Sequence, residues 1–221
     1  GSRTGSLREP IGLRGPARQR GCQLTAPNDA SCARLVHMAS QFPEITTRWR
    51  HFIEEQHLFF VATAARDGRV NVSPKGLDSL RIITPTRVIW LNGTGSGNET
   101  AAHLLDTARM TIMFCGFDRE PAILRLYGTA RAVHKGDAEW ESLLGHFPPL
   151  KGARNIFDLE IDLVQKSCGY GVPHMEYVED RDLMDAWATK KGRDGLIAYQ
   201  QDKNRQSIDG FPTGLPGSPG D

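Results

Sequence analysis

Two apolar runs, Leu58 to Ala65 and Val70 to Val72, stand on either side of Arg66-Asp67-Gly68-Arg69. An Asp-Gly pair between apolar runs is a strong local hairpin signal, because both residues tolerate the positive φ of a tight turn. Two antiparallel strands follow. Leu80 to Thr84 and Arg87 to Asn92, parted by Pro85-Thr86, repeat the pattern. Met110 to Gly116 and Ala122 to Val133 continue it, and Gly128 inside the longer run predicts a bulge or bend. Ile156 to Val164 alternates apolar with acidic side chains, as a half-exposed strand does. Between these lie short helical segments: Ile45 to Gln56, with Ile45, Trp49, Phe52 and Ile53 on one face, then Asn98 to Leu105, Asp137 to Phe147 and Asp180 to Lys191. Strands joined by hairpins, with few helices, predict a closed or nearly closed antiparallel barrel of six or more strands, since closure removes exposed edges.

With 221 residues the chain can bury one good-sized core without disulfide or metal staples. A net charge of +1 argues against nucleic-acid binding by bulk positive charge. No run approaches the roughly 20 apolar residues of a membrane-spanning helix, so no membrane association is expected. Cys22, Cys32, Cys115 and Cys168 form no CxxC pair and the seven histidines no HExxH pattern, so no metal site is expected. The cysteines read as reduced thiols of a cytoplasmic protein. Residues 1–37 hold six arginines against Glu9 and Asp29, a balance of +4 that leaves −3 for the rest. This stretch is rich in Gly, Pro and Ser and has no apolar period, which predicts a disordered leader. Met38-Ala39-Ser40 reads as a natural start, making 1–37 an upstream extension. The expected organisation is a barrel domain over 38–200 and a C-terminal extension over 201–221, loose from Phe211 onward.

Three places carry chemistry that a barrel does not need. In Asn71-Val72-Ser73-Pro74-Lys75-Gly76 a strand runs into a proline, which should end the pairing, and then a lysine. Ser73 and Lys75 suit a phosphate: one offers a hydroxyl, the other a point charge. A solvated loop lysine is the plainer alternative. Gly93-Thr94-Gly95-Ser96-Gly97-Asn98-Glu99-Thr100 lies between a strand and a helix, where Asn98 is a candidate N-cap and the first-turn N–H groups form a potential anion site. Glu99 would repel a phosphate unless it points away. As a dinucleotide fingerprint the segment fails, because Asn98 replaces the last glycine and the neighbouring strands come as hairpins. The third place is Arg125, among strand apolars, together with the turn Cys168-Gly169-Tyr170-Gly171. An arginine so placed must be paired, face outward or meet a ligand, and Cys168 is expected to be a buried thiol.

The succession FFVATAARDGRVNVSPKG, RVIWLNGTGSGNETAAHLL, RMTIMFCGF, ILRLYGTARAV, CGYGVP and SIDGFPTGL resembles the flavin-binding proteins related to pyridoxamine 5'-phosphate oxidase, from Met38 to Leu215. The resemblance implies a mainly β fold with short helices, a six-stranded antiparallel split barrel. It also implies a homodimer with FMN in clefts between the chains. The cofactor phosphate would be held by Ser73, Pro74 and Lys75 and by Gly97, Asn98 and Thr100, with Lys75 or Arg125 as a cation near the flavin ring.

The vitamin oxidases carry Arg and Lys on the second strand, Ser-Arg-Lys at the short helix and Arg-x-His near the C-terminus. Here Ser73 and Lys75 stand in the first place and Asn98-Glu99-Thr100 in the second, and the stretch Asn204 to Gly210 does not reproduce the Arg-x-His pattern. The chain therefore resembles a less characterised branch, and efficient oxidation of pyridoxamine or pyridoxine phosphate is not expected. An FMN-dependent oxidoreductase acting on an unidentified small molecule, possible partners including NAD(P)H, is the first expectation. A flavin- or haem-binding or sensing protein without turnover is the alternative, and a deazaflavin is a further candidate ligand. No catalytic residue is singled out.

Overall fold

The structure is a computed structural model that describes residues 39–118 and 120–217. The expected leader, 1–37, lies outside the described residues.

The chain follows the order β1 (Ala39–Phe42), α1 (Thr47–Glu54), β2 (Phe59–Thr63), β3 (Asn71–Lys75), β4 (Leu80–Thr84), β5 (Arg87–Gly93), α2 (Glu99–Asp106), β6 (Arg109–Cys115), β7 (Ala122–His134), α3 (Trp140–Leu144), β8 (Ala153–Cys168) and α4 (Leu183–Lys203). The fold is of the expected class, a mainly β antiparallel split barrel with short helices, but among the described residues it has eight strands rather than six, seven of them on the apolar runs read from the sequence. The unexpected one is β1. Its four residues carry no apolar alternation of their own, and they form a strand by pairing with the second half of β8, Phe42 against Val164. The β8 strand, expected from Ile156 to Val164, starts three residues earlier and runs four residues further.

Strands follow one another as β3-β2-β6-β7-β8-β5-β4, and every pair is antiparallel. Two long strands, β7 and β8, form the spine. Their register slips between Tyr127 and Gly128, the expected bulge. The glycine is obligatory there, since a Cβ on Gly128 would lie 1.9 Å from the Glu160 carbonyl oxygen.

Inside the sheet a core of Val61, Trp90, Ile112, Phe114, Leu124 and Leu159 packs against Trp49, Phe52 and Ile53 of α1. The apolar run of β5 does not alternate because both faces are covered. Val88 and Trp90 join this core, whereas Ile89 and Leu91 meet Trp140 and Leu143 of α3 in a second one. On that outer face Asp158 of β8 is nearly buried, with its carboxylate accepting from Arg87 at 2.8 and 3.0 Å and from Arg131 at 2.8 Å.

The segment after α4 is not loose where it begins. Asn204 and Thr213 are fully buried, and the Thr213 hydroxyl donates to the Asn204 carbonyl at 2.7 Å. Composition alone suggested a free tail from Phe211, but these polar contacts tie it down. Residues 218–221 lie outside the described residues.

Candidate functional site

The sequence places Asn71, Ser73 and Lys75 two residues apart, and a strand turns such residues to one face. In β3 that face looks into a cavity of about 430 Å³ closed by the end of β5, the loop 93–98 and the start of α2. Pro74 does not end the pairing as expected, since Phe60 and Phe59 of β2 still register with Pro74 and Lys75. A proline is tolerated because β3 is the first strand of the sheet, where one side of the ladder has no partner to lose. Directly after it the chain turns sharply through Leu77 and Asp78, both with positive φ, and the Ser79 hydroxyl holds the turn by donating to the Gly76 carbonyl at 2.6 Å.

Lys75 lies with its Nζ 5.2 Å from the centroid of the Trp90 ring. Burial, and after it the charge of Arg154, push its ammonium pKa down to about 8. Arg154, at the start of β8, is only 3% exposed. Burial pushes its guanidinium pKa down to about 10, so it is charged at neutral pH. Its Nη1 donates to the Gly97 carbonyl at 3.0 Å, while its Nε is buried without a hydrogen-bond partner. Two cations therefore face one cavity whose only carboxylate, among the described residues, belongs to Glu99.

Glu99 is turned to other work. Both its oxygens accept from the Ile208 backbone N–H at 3.1 Å. Asn98 precedes α2, but its side chain makes no capping bond. Instead its Nδ2 donates to the Asn204 carbonyl at 3.3 Å, and its Oδ1 is left buried and unpartnered. The loop itself is anchored from the far end of the chain. Asn204 Nδ2 donates to the Gly95 carbonyl at 3.0 Å, and Gln200 Nε2 donates to the Thr94 hydroxyl at 2.6 Å.

Of the residues singled out in the sequence, Ser73, Pro74, Lys75, Gly97, Asn98 and Thr100 all line this cavity. Arg125 does not. It sits on β7, across from Gln165 near the far end of β8, and donates to the Ser167 hydroxyl at 2.9 Å. Cys168 is half-buried rather than buried, and Cys115 is the buried thiol, its pKa raised by desolvation. Arg154 was missed, although the rule applied to Arg125 fits it better: Arg154 heads the apolar run of β8 and has no acid to pair with among the described residues. Among the described residues no group of three or more His, Cys, Asp or Glu could hold a metal ion. No described helix is long and apolar enough to cross a membrane.

Residues 45–168 match the family model for pyridoxamine 5'-phosphate oxidase. The chain belongs to that family. A relative from Aspergillus flavus, the pyridoxamine 5'-phosphate oxidase family protein ustO, is 35% identical over 189 residues, covering 77% of this chain and 76% of its own. Among solved structures, HupZ from Group A Streptococcus is similar with a TM-score of 0.43 at 23% identity, over 54% of this chain and 91% of that one. The FAD binding protein from Mycobacterium smegmatis is similar with a TM-score of 0.38 at 12% identity, over 57% and 96%.

Proposed function

We propose that this family member binds FMN, with the cofactor phosphate held between Lys75 and Arg154, and works as an FMN-dependent oxidoreductase on a small molecule. The observation that carries this is the pair of cations facing one cavity, neither of them in an ion pair with a carboxylate among the described residues. Desolvating two positive charges side by side is costly, and a phosphate dianion offsets it through charge-assisted hydrogen bonds. The cavity volume falls in the range of small-molecule sites.

The donor set fits a phosphate ester of a polyol. Lys75 and the free Nε edge of Arg154 supply charge, and the Ser73 and Thr100 hydroxyls lie on the same wall. The unpartnered Oδ1 of Asn98 can accept from a ligand hydroxyl. The Ile208 backbone N–H fixes the orientation of the Glu99 carboxylate, which keeps its negative charge. Bound there, the flavin supplies reversible two-electron chemistry; the chain supplies binding, orientation and charge. A second copy of the chain, laid over the exposed Val70 and Val72 beside the site, completes the working unit as a homodimer. A nicotinamide nucleotide serves as the reductant.

Purified protein should be yellow and release FMN on denaturation, and riboflavin, which lacks the phosphate, should bind at least about tenfold more weakly. Protein that is colourless and takes up no added FMN would overturn the cofactor assignment. Flavin that binds but is reduced by neither NADH nor NADPH would leave binding without this reaction.

A further inference from the structure

Behind the first cavity lies a second, of about 560 Å³, between α4 and the turn that opens β8. Its wall carries Lys135, Lys151, Arg154 and Arg193 and, among the described residues, no carboxylate. Only Lys151 is compensated there: its ammonium donates to Asp185 at 3.0 Å and to the Thr189 hydroxyl at 2.9 Å. The Arg154 side chain forms part of both walls, and its Nη1 is spent on Gly97. Lys135 and Arg193 come from different elements, the turn after β7 and the helix α4, and neither has an acidic partner among the described residues.

The backbone brings this about. Gly192 leaves the helical conformation, with φ 65° and ψ 175°, and breaks α4 immediately before Arg193. A Cβ at Gly192 would meet nothing within 4 Å, so glycine is there for the turn and not for packing. On the other side the cavity is apolar, with Leu196, Ile197 and Leu215.

We infer that this second cavity binds a small organic phosphate, its anionic head between Lys135 and Arg193 and its apolar body against Leu196, Ile197 and Leu215. Gathering like charges raises the free energy of the empty site, and an anion that neutralises them recovers it. Both side chains reach solvent, and partial desolvation together with the nearness of Arg193 lowers the Lys135 ammonium pKa, in line with that arrangement. The inference does not depend on what the first cavity holds.

The full chain carrying Lys75→Ser, which weakens anion binding in the first cavity, is compared with Lys75→Ser/Lys135→Ser/Arg193→Ser by calorimetric titration with phenyl phosphate and with inorganic phosphate at low salt. The single variant should bind phenyl phosphate more tightly than inorganic phosphate, and the triple variant at least tenfold more weakly than the single one. Without anion the triple variant should melt at the same temperature or higher, because a repulsion has been removed. Equal phenyl phosphate affinity in the two variants would overturn the site. No preference for phenyl over inorganic phosphate would overturn the apolar subsite. A triple variant that melts lower without anion would show that the two cations support the fold instead.

Discussion

Asn204 and Gly95, 109 residues apart in the chain, are joined by a hydrogen bond of 3.0 Å from the asparagine amide to the glycine carbonyl. The same residue accepts from Asn98 and Thr213 at its own carbonyl, so one fully buried asparagine ties the loop 93–98 to the C-terminal segment. Asn204→Ala leaves the Gly95 carbonyl without its donor. Destabilisation of about 1–3 kcal/mol is expected from the lost partner, seen as a lower denaturation midpoint. FMN affinity should fall more than riboflavin affinity, because in the proposed binding mode the loop shapes the phosphate end of the site; an equal loss for both would mean a general loosening.

Lys75 sets binding against stability. Its folded pKa of about 8 lies below the ordinary 10.5, so the unfolded chain holds the proton more tightly, and stability rises with pH between those two values. Below pH 8 the buried charge is a constant cost. Lys75→Met should therefore be more stable than the parent at pH 7 in the absence of ligand, by about 1 kcal/mol once solvent screening is allowed for. The gain should vanish toward pH 10.5. The same variant should lose at least about tenfold in FMN affinity. In the unsubstituted protein FMN affinity should drop as pH climbs from 7 to 9, which fluorescence titration measures.

Asp158 governs behaviour in acid. Its burial would raise its pKa, but the guanidinium groups of Arg87 and Arg131 outweigh this and hold the carboxyl below the ordinary value of 3.8. A depressed carboxylate stabilises the fold above its unfolded pKa, and that contribution is lost as pH falls through the folded value. Asp158→Asn should cost about 1–2 kcal/mol at pH 7, given that both arginines are partly solvated. The difference from the parent should shrink as pH drops below 4, as urea melts at pH 7 and pH 3 would show.

Most of the barrel is legible in the sequence because hairpins are local. The Asp67-Gly68 turn, the alternation in β8 and the glycine bulge in β7 each write their geometry into a few adjacent residues. The Ser73 and Lys75 face of β3 and the loop from Gly97 to Thr100 are legible for the same reason. Strand β1 is not, since Ala39–Phe42 extend only because β8 offers an edge. Nor is the pairing of Arg154 with the same cavity as Lys75, which depends on β5 lying between β4 and β8. The anchoring of Gly95 by Asn204 is equally hidden, because polar residues in a Gly- and Pro-rich tail look alike whether or not the fold buries them.

Gly128→Ala tests the spine. With a carbonyl oxygen 1.9 Å from the new Cβ, the strands must part or the bulge must shift. A loss of more than about 3 kcal/mol, or failure to accumulate folded protein, is expected. Gly95→Ala is the control, since a Cβ there meets nothing within 4 Å. It should stay within about 0.5 kcal/mol of the parent.

The clasp formed by Asn204, Gln200 and Thr213 also sets a schedule. Strands β2 to β8 can all be paired by the time residue 168 has been made, and Gly152 and Arg154 then already hold the loop at Thr94 and Gly97, yet the Gly95 carbonyl has no donor until Asn204 arrives. If the cavity holds FMN as proposed, full ligand affinity should wait until Asn204 has been made. Under that proposal a chain cut short before Asn204 would keep the paired strands yet hold flavin more weakly, so colour would report the clasp at Asn204 rather than the barrel.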